Sequence, residues 1–394
     1  MTSNPDYLWV KFGEFVWHDD PYDGKPADFF DRDAEKKRAL DILRSPETRR
    51  AIWLVGERCA GKTSMLRLLL NKCKEDERYA ACEIPWQSIL SLADFYRELP
   101  QKLGEAANIQ TIQGGGEPSH QAFWKAFQAI KQGLDGKTLV IGVDELDTIL
   151  DRFGDENARI EVISILHQLV EDTDVKIIIA TVKPADKIEF LKASPLANRS
   201  ERVYLRPFDS QDLERLIRHF LPSSGDEYIE KIGHLSGNWP YYAKAILYHL
   251  LQIPEKSPRR LEQAREQAVG SIASTCEHLY KRHWDREERR ALLLLTNKEA
   301  LRQEEFERLD TPLRTAFSRL IERGYVLQEE QRYRFRVQLI GDWFRTWDHR
   351  ELEEETLEIP RLLKRLDRSL DPWRQEPGEI SITVTAEELR RRGF

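Results

Sequence analysis

The sequence lacks the long apolar runs of membrane proteins. No stretch approaches the about 18 uninterrupted apolar residues of a membrane span. The N-terminal MTSNPDYLWVKFGEF has no basic segment followed by an apolar core, so it does not resemble a signal peptide. We therefore expect a cytoplasmic protein without a membrane partner. With 394 residues, the chain is long enough for about two or three domains.

Cysteine is also scarce. The chain contains four cysteines, and no two of them are spaced as C-x-x-C. This pattern indicates reduced thiols, as in a cytosolic protein. Cys59 falls in a glycine-rich segment, where it is either a modification-sensitive thiol or a small filler residue, and we favour the filler interpretation. The four positions are Cys59, Cys73, Cys82 and Cys276.

An excess of basic residues is missing as well. Lysine and arginine total 61 against 68 aspartates and glutamates, which gives a formal net charge of -7. Such a balance argues against a protein that coats nucleic acid with its whole surface, although a local basic patch stays open. The 40% of apolar residues suffices for a sizeable core.

What the sequence does contain is a strand, a glycine loop and a helix in direct succession over residues 51–70. The apolar run at 52–55 predicts a buried strand, and apolar residues recur at helical spacing over 65–70. Between them, GERCAGKT at 56–63 matches G-x-x-x-x-G-K-[ST], the phosphate-binding P-loop or Walker A motif. Strand, loop and helix in this order are the context that the motif requires.

The residue types of this loop fit phosphate chemistry. Gly56 and Gly61 let the backbone turn so that N–H groups point at a β-phosphate. Lys62 would reach the β- and γ-phosphates, and the Thr63 hydroxyl would ligate Mg²⁺. We therefore predict ATP and Mg²⁺ as cofactors; no N-K-x-D guanine motif stands in the expected place, which favours ATP over GTP. The predicted nucleotide-binding residues of the loop are Gly56, Glu57, Arg58, Cys59, Ala60, Gly61, Lys62, Thr63 and Ser64.

A second buried strand ends in carboxylates. Residues 139–147 read LVIGVDELD, which is typical of a Walker B strand whose carboxyl end meets the ligand in an open α/β sheet. Asp144 would hold Mg²⁺ directly or through water, and Glu145 would orient and polarise the attacking water. Thr181 ends a third strand at 175–181, where its hydroxyl either hydrogen-bonds the γ-phosphate or only ends the strand. These motifs together predict an ATPase.

An arginine that acts between subunits is a further hypothesis. Arg199 lies just before a short apolar strand at 203–205. In an oligomer, an arginine at that position reaches a neighbour's γ-phosphate and offsets charge in the transition state. Arg202 is the alternative, and a surface arginine without such a role stays open. The predicted catalytic residues are Glu145, Lys62 and Arg199.

The order of predicted elements divides the chain. Strands alternate with helices up to residue 208, including a short strand at 82–85, which indicates an α/β core with a parallel sheet. A helix is expected from Asp31 after an aspartate cap, and a polar loop over 104–119. Only helices are expected from 210 to 284, and helices followed by two strands, at 325–328 and 333–337, suggest a winged helix. We predict an arm at 1–30, a P-loop ATPase core at 31–208, a helical lid at 209–284, a winged-helix domain at 285–347 and a charged tail at 348–394, with a possible strand at 380–384.

With these motifs assembled, the chain resembles the STAND branch of AAA+-like P-loop ATPases, near the archaeal-type and origin-recognition ATPases. The resemblance covers roughly residues 27–347. Residues 29–35, FFDRDAE, resemble the family's F-x-G-R-E-x-E segment, with Asp31 where glycine is usual, and imply that Arg32 borders the adenine. Residues 237–240, GNWP, resemble the lid motif G-x-P with one additional residue.

The lid motif and the C-terminal part carry further implications. The resemblance implies that Pro240 approaches the nucleotide. Lys244 has either a sensor role or that of a surface lysine. Residues 335–344 resemble the family's winged-helix ending, in which Trp343 and Phe344 belong to the core.

The resemblance implies an ATP-dependent switch with nucleotide between the core and the lid. Because the sequence contains neither sensor repeats nor an effector domain, its output is expected to pass through partners. In the first hypothesis the protein forms a homo-oligomer with ATP and recruits a separately encoded protein effector, as in bacterial conflict or defence systems. The charged tail is the candidate docking segment for that effector.

In the second hypothesis the protein is a DNA-binding ATPase that loads or targets a DNA-processing machine in transposition or replication. Duplex DNA would meet the winged helix, where arginines could contact phosphates or could form a solvated face. A third hypothesis, a binding switch with negligible hydrolysis, is disfavoured by Glu145. The arginines concerned are Arg314, Arg319, Arg323, Arg332, Arg334 and Arg336.

Overall fold

The structure is a computed structural model of the whole chain. Several predictions fall partly or wholly outside the described residues: the arm, the first residues of the FFDRDAE segment with Asp31, residues 110–116 of the polar loop, and the tail with its strand at 380–384. The chain divides into two compact units, Met1–Arg206 and Pro207–Phe394. The structure describes residues 32–45, 51–84, 88–109, 117–182, 188, 195–222, 225–254, 257 and 259–347.

The first unit is built on a parallel sheet of five strands in the order β2-β3-β4-β1-β5. The central strands are continuous apolar runs because helices cover both faces of such a sheet. The strands are β1 Ala51–Val55, β2 Tyr79–Ile84, β3 Thr138–Val143, β4 Val175–Thr181 and β5 Ser200–Tyr204. The helices are α1 Asp33–Arg44, α2 Lys62–Lys74, α3 Leu92–Ala107, α4 His120–Gln132, α5 Leu146–Arg152, α6 Glu156–Glu171 and α7 Pro195–Asn198.

The core of this unit lies between one face of the sheet and helices α3, α4 and α6. Alternate strand positions, such as Trp53 and Ile177, join Phe95 and Phe127 of the helices in one cluster of buried side chains. On the opposite face, a Cβ atom at Gly142 would lie 2.7 Å from Leu70 Cδ1. Glycine at this position therefore lets α2 lie close to β3, which brings the N-terminus of α2 beside the carboxyl end of β3.

Helix α1 is joined to the sheet by a buried lysine. Lys176, in β4, is 7% exposed, and its Nζ donates hydrogen bonds to the Ile42 carbonyl at 2.9 Å and the Ser45 carbonyl at 2.7 Å. A cation at the C-terminal end of a helix compensates the unpaired carbonyls and the negative end of the helix dipole. This contact fixes the C-terminal end of α1 against the amino end of β4, at the opposite end of the parallel strands from the P-loop.

The second unit begins with helices and ends with a small mixed module. A single turn of π-helix, Leu279–His283, follows α11. Its helices are α8 Ser210–Phe220, α9 Asp226–Ser236, α10 Pro240–Gln252, α11 Arg260–His278, α12 Arg286–Lys298, α13 Gln303–Glu307, α14 Thr311–Glu322 and α15 Gln338–Thr346. Its strands, β6 Leu301–Arg302, β7 Val326–Glu329 and β8 Arg332–Phe335, form an antiparallel sheet in the order β6-β8-β7.

The two segments predicted as lid and winged helix pack together within this unit. The indole Nε1 of Trp239 donates to the Gly324 carbonyl at 3.2 Å. A Cβ atom at Gly237 would lie 2.7 Å from the Arg336 carbonyl oxygen, so the two backbones touch there. Arg265 of α11 makes a bidentate ion pair with Asp342 of α15, with both N–O distances 2.7 Å. The module after residue 285 is thus held by the helices that precede it.

Several predicted elements have the expected bounds and others do not. Strands β3 and β4 and helix α8 have the bounds that their sequence patterns predict, 138–143, 175–181 and 210–220, and Trp343 and Phe344 are buried. Strand β5 begins at Ser200 rather than 203, because its polar first half occupies the edge of the sheet. Strand β2 begins at Tyr79 rather than 82, since pairing with β3 outweighs the weak propensity of its alanines.

Three further expectations need correction. Helix α3 continues to Ala107, where a loop was expected from residue 104, because Leu103 still packs in the core. The N-cap of α1 is Arg32 in a left-handed conformation, not an aspartate. Helix α5 and the two-residue strand β6 were not predicted, since both are too short to show a period. Among the described helices, none is both long and apolar enough to span a bilayer.

Candidate nucleotide-binding site

The P-loop leaves the sheet at the carboxyl end of β1 and closes at the start of α2. A Cβ atom at Gly56 would lie only 2.7 Å from the Leu205 carbonyl oxygen, so no larger residue fits there. Gly61 is the N-cap of α2 with φ 87°, a left-handed conformation that favours glycine. Cys59 also has a positive φ, 69°. Burial raises the pKa of the Cys59 thiol to about 12, which keeps it protonated and supports the filler interpretation.

The predicted phosphate-binding lysine lies across this loop. Lys62 is 8% exposed, and its Nζ donates to the Gly56 carbonyl at 2.9 Å and to the Glu57 carbonyl at 3.0 Å. These two contacts hold the ammonium over the loop at the N-terminus of α2, where backbone N–H groups and the helix dipole also favour an anion. Phosphate oxygens would compete with the two carbonyls for the same ammonium.

The two predicted Mg²⁺ ligands are in direct contact. The Thr63 hydroxyl donates to Asp144 Oδ2 at 2.6 Å, and the Glu145 backbone N–H donates to Asp144 Oδ1 at 3.0 Å. Burial raises the pKa of the Asp144 carboxyl, while the Thr63 hydrogen bond and the charge of Lys62 lower it. A hydroxyl and a carboxylate are the oxygen ligands that suit Mg²⁺, which commonly takes its other ligands from phosphates and water.

The described residues contain no cluster of three or more His, Cys, Asp and Glu side chains suited to a metal.

Glu145 stands at the start of α5 with a strained backbone. It is the N-cap residue with φ 47° and ψ 45°, a conformation that non-glycine residues rarely adopt. Burial raises the pKa of its carboxyl, the Arg58 guanidinium lowers it, and Asp144 raises it further. A half-buried carboxylate whose pKa is raised toward neutrality is suited to accept a proton from water. Strain of this kind is often concentrated at functional sites.

The family comparison agrees with this geometry. Residues 44–188 match the family model of an AAA domain. The matched segment contains β1 to β4, the P-loop and both carboxylates at the end of β3. Residues 44–188 are therefore similar to an AAA domain. The predicted fold class, an α/β P-loop NTPase core, and the predicted ATPase activity are thereby confirmed.

Two solved structures share the fold. The Walker-type ATPase of Pyrococcus abyssi superposes with a TM-score of 0.58 at 19% identity, over 82% of this chain and 97% of that one. The ORC2 protein of Aeropyrum pernix, in its ADPNP–ADP complexes, gives 0.53 at 12% identity, over 79% and 92%. At such identities the likeness shows the fold alone. A search of curated proteins finds no match.

Asp147 is a residue of the AAA domain for which sequence reasoning found no role. Its Oδ2 accepts the Val182 backbone N–H at 3.0 Å, which ties α5 to the end of β4. Burial raises the pKa of its carboxyl, and the Lys62 charge is among the causes that lower it. The available signal was the third carboxylate of DELD, one helical turn after Asp144. It could be interpreted only once β4 was placed beside β3.

Thr181 borders the P-loop through its backbone and not through its side chain. Its carbonyl accepts the Gly56 N–H at 3.3 Å. Its hydroxyl, which is fully buried, accepts the Trp53 indole N–H at 2.6 Å. This placement favours the second interpretation of Thr181, in which it ends the strand and packs in the core of the AAA domain.

Arg32 touches the loop itself. Its guanidinium Nη2 donates to the Ala60 carbonyl at 2.9 Å and to the Arg206 carbonyl at 2.8 Å, and the residue is 4% exposed. The resemblance implied a position beside the adenine. The structure places the guanidinium against the backbone of the P-loop. Pro240, the other residue for which the resemblance implied a nucleotide contact, is buried at the first position of α10 in the second unit.

Arg199 lies at the amino end of the parallel strands, whereas the P-loop lies at their carboxyl end. It precedes β5, which runs parallel to β1, and β5 extends for five residues, or roughly 16 Å. The residue is exposed, and its Nε lies 2.8 Å from Glu171 Oε1. Within one chain the structure therefore brings Lys62 and Glu145 together but not Arg199. Arg202, inside β5, does not join them either.

In the second unit, the arginines on α14 face carboxylates of the same unit. Arg319 Nη2 lies 2.5 Å from Asp285 Oδ2, and its Nε lies 3.3 Å from Glu288 Oε1. Arg323 Nη1 lies 2.9 Å from Glu288 Oε2, and its guanidinium stacks on the Tyr325 ring. These contacts use the charge of both arginines within the fold.

The arginines on β8 and just after it differ in exposure. Arg334 pairs with Glu329 at 2.5 Å, and burial lowers the pKa of the half-buried Arg336. Arg332 and Arg314 are exposed. Basic and acidic residues are nearly equal in number over 285–347. Of the six arginines proposed for DNA contact, these two are exposed residues and the other four are partly buried.

Proposed function

We propose that this protein is an ATP-dependent regulatory switch whose AAA domain binds and hydrolyses ATP. The observation that carries this proposal is the contact between the Thr63 hydroxyl and Asp144 at 2.6 Å, beside Lys62 and Glu145. Four side chains from two elements converge there on the mouth of one anion-binding loop. Few other reactions need this combination of a phosphate-binding lysine, a cation site and a carboxylate base.

Each group has a distinct role in hydrolysis. Lys62 leaves its two carbonyl partners for the β- and γ-phosphates, and the loop amides bind the same oxygens. Thr63 and Asp144 hold Mg²⁺, which neutralises charge on the phosphates. Glu145 accepts a proton from the water whose oxygen attacks the γ-phosphorus, while the bond from that phosphorus to the bridging oxygen breaks. The raised pKa of Glu145 matches this role.

Assembly with ATP is the second part of the proposal. Arg199 is too far from the loop of its own chain, but it is exposed at a sheet edge. It can therefore serve only the nucleotide of another copy. We propose a homo-oligomer in which Arg199 enters a neighbour's site and the nucleotide state governs assembly. Arginines supplied in this way stabilise the charge of the phosphoryl-transfer transition state.

For the output we propose recruitment of a separately encoded protein effector, with the tail at 348–394 as the docking segment. The charge balance of residues 285–347 supports this choice over DNA, because three of the six candidate arginines pair with carboxylates of the same unit. We also assign these residues to a winged helix. The order α12-β6-α13-α14-β7-β8, with an antiparallel sheet of three strands, supports the assignment.

Duplex DNA is the second candidate partner. The observation in its favour is the exposure of Arg314 on α14 and Arg332 at the start of β8. Phosphate contacts from two such residues would give weak binding with a shallow salt dependence. Charge reversal of both residues should abolish that binding if it exists. DNA affinity that does not change in that variant would remove this candidate.

The proposed function is tested with Glu145→Gln, using Glu156→Gln, an exposed glutamate of α6, as the matched control. We expect Glu145→Gln to bind ATP but to turn it over at least about a hundredfold more slowly, because it lacks the general base. The variant should therefore accumulate as the ATP-bound oligomer, which mass photometry detects. Glu156→Gln should behave as wild type. Turnover in Glu145→Gln equal to that of wild type would contradict the base assignment, and a wild type that stays monomeric with ATP would contradict the assembly.

A further inference from the structure

Arg32 is held in an unfavourable state beside the P-loop. Its backbone has φ 58° and ψ 38°, which an L-residue with a long side chain rarely adopts. Its guanidinium is buried, and Nη1 lies 3.9 Å from Glu35 Oε1 in an ion pair. A backbone conformation of this kind is destabilising and persists where the surrounding structure requires it.

The contact with Ala60 determines the orientation of one peptide group. Nη2 of Arg32 donates to the Ala60 carbonyl at 2.9 Å from outside the loop. In a trans peptide the C=O and the following N–H point in opposite directions, and the described chain contains no cis peptide. With the Ala60 oxygen directed at Arg32, the Gly61 N–H is directed to the inner side of the loop. N–H groups on that side are the ones that bind phosphate.

The same guanidinium also holds the segment that leaves the sheet. Nη2 donates to the Arg206 carbonyl at 2.8 Å. The preceding residue, Leu205, donates its N–H to the Val55 carbonyl at 2.7 Å and packs its own carbonyl against Gly56. Residues 205–206 are therefore anchored to both ends of the loop, at Gly56 directly and at Ala60 through Arg32. The second unit begins at the next residue, Pro207.

We propose that Arg32 is a positioning residue of the ATP site. It orients the Ala60–Gly61 peptide so that the Gly61 N–H faces the phosphate, and it joins that peptide to the chain segment that leads into the second unit. This inference rests on the proposed function for the identity of the ligand. It assigns Arg32 no contact with the base or with the reacting atoms.

The test uses full-length Arg32→Gln and Arg32→Lys, with Arg38→Gln as the matched control. Arg38 lies on the same helix, but it is exposed and pairs with Glu201 at 3.3 Å on the surface. For each protein we measure the affinity for ADP and for a slowly hydrolysed ATP analogue, kcat and KM for ATP, and the melting temperature without nucleotide.

We expect Arg32→Gln to bind both nucleotides about ten- to a hundredfold more weakly, as loss of one charge-assisted hydrogen bond implies. KM should rise by a similar factor while kcat falls less than about threefold, because the reacting groups are intact. Arg32→Lys should recover part of the affinity, since its ammonium keeps the charge and the N–H donors but lies on a side chain one bond shorter than that of arginine. Arg38→Gln should stay within about twofold of wild type.

Unchanged nucleotide affinity in Arg32→Gln, or a loss of kcat with KM unchanged, would overturn the inference. A lower melting temperature with wild-type affinity would show a purely structural role and would overturn it too. If Arg32→Gln does not fold, Arg32→Lys is judged in its place by its nucleotide affinity and by whether KM or kcat changes. A wild-type protein that neither binds nor hydrolyses ATP would instead refute the proposed function, so the two failures are distinguishable.

Discussion

Replacing Gly56 by alanine tests whether close backbone contact shapes the P-loop. The added Cβ would lie 2.7 Å from the Leu205 carbonyl oxygen and 3.1 Å from Ala60 Cβ. Neither atom belongs to a flexible side-chain end, and hydrogen bonds from Leu205 to Val55 at 2.7 Å and from Gly56 to Thr181 at 3.3 Å hold the backbone. Relief of the contact requires a shift of roughly 0.7 Å in the loop or in the end of β5, and overpacking of this kind costs about 1–3 kcal/mol.

The shift should affect binding as well as stability. Functional groups must be held within about 0.5 Å of their productive positions, so we expect Gly56→Ala to bind nucleotide at least about tenfold more weakly. Because the chain has two compact units, unfolding need not be two-state. Hydrogen exchange with mass spectrometry is therefore the appropriate assay, since it reports the first unit separately from the second. A fluorescent ADP analogue gives the affinity.

The same substitution elsewhere provides controls. Gly270, in α11, is exposed and has no heavy atom within 4 Å of an added Cβ, so Gly270→Ala should stabilise the second unit by about 0.5–1 kcal/mol. Gly61→Ala meets no steric contact but retains a φ of 87°, which costs about 1–2 kcal/mol. Wild-type affinity together with wild-type exchange in the first unit of Gly56→Ala would refute the steric argument.

The remaining predictions concern the lysine, the metal site and the second unit. Lys62→Ala should abolish measurable nucleotide binding, and isothermal calorimetry that still detects tight binding would contradict its role. Burial raises the pKa of Asp144, and Mg²⁺ binds only the deprotonated carboxylate, so affinity for Mg²⁺·ADP should increase as the pH rises through that raised pKa. Calorimetry in two buffers of different ionisation enthalpy should detect the proton that is released on binding. An affinity that does not change with pH would contradict this expectation. Asp342→Ala breaks the bidentate contact with Arg265, so we expect the free energy of unfolding of the second unit to fall by about 2–3 kcal/mol while the ADP affinity is unchanged. A coupling energy near zero in a double-mutant cycle with Arg265→Met would show that the pair contributes nothing to stability.

The parts of the AAA domain that sequence reasoning predicted best are those encoded locally. The P-loop, its strand and its helix are contiguous, so their residue types alone fix their order. Strands β3 and β4 are apolar runs that end at polar residues, and their bounds followed from that pattern. Asp144 and Thr63 were expected to share Mg²⁺ because parallel strands present their carboxyl ends at one edge, and the structure brings the two side chains into contact.

What sequence reasoning missed depends on contacts between distant residues. Asp147 acquires its role from Val182, which follows β4, a strand that the sequence does not show to be a neighbour of β3. The separation of Arg199 from the P-loop follows from the parallel pairing of β1 with β5. In the sequence Arg319 and Arg323 suggest a basic patch. In the structure both pair with Glu288 of α12. The position of Arg32 against Ala60 depends on a backbone conformation that the sequence does not specify.

The joint between residues 237–239 and the C-terminal module has a consequence for how the second unit can diverge. Trp239 donates to the carbonyl of Gly324, and Gly237 lies against the backbone of Arg336. The acceptor and the neighbouring surface are main-chain atoms, which every sequence with the same backbone path supplies. The exposed face of residues 285–347 is therefore free to vary over evolution without loosening the joint. A domain transplanted from a relative would be accepted as long as residues 237–239 and the Arg265–Asp342 pair are kept.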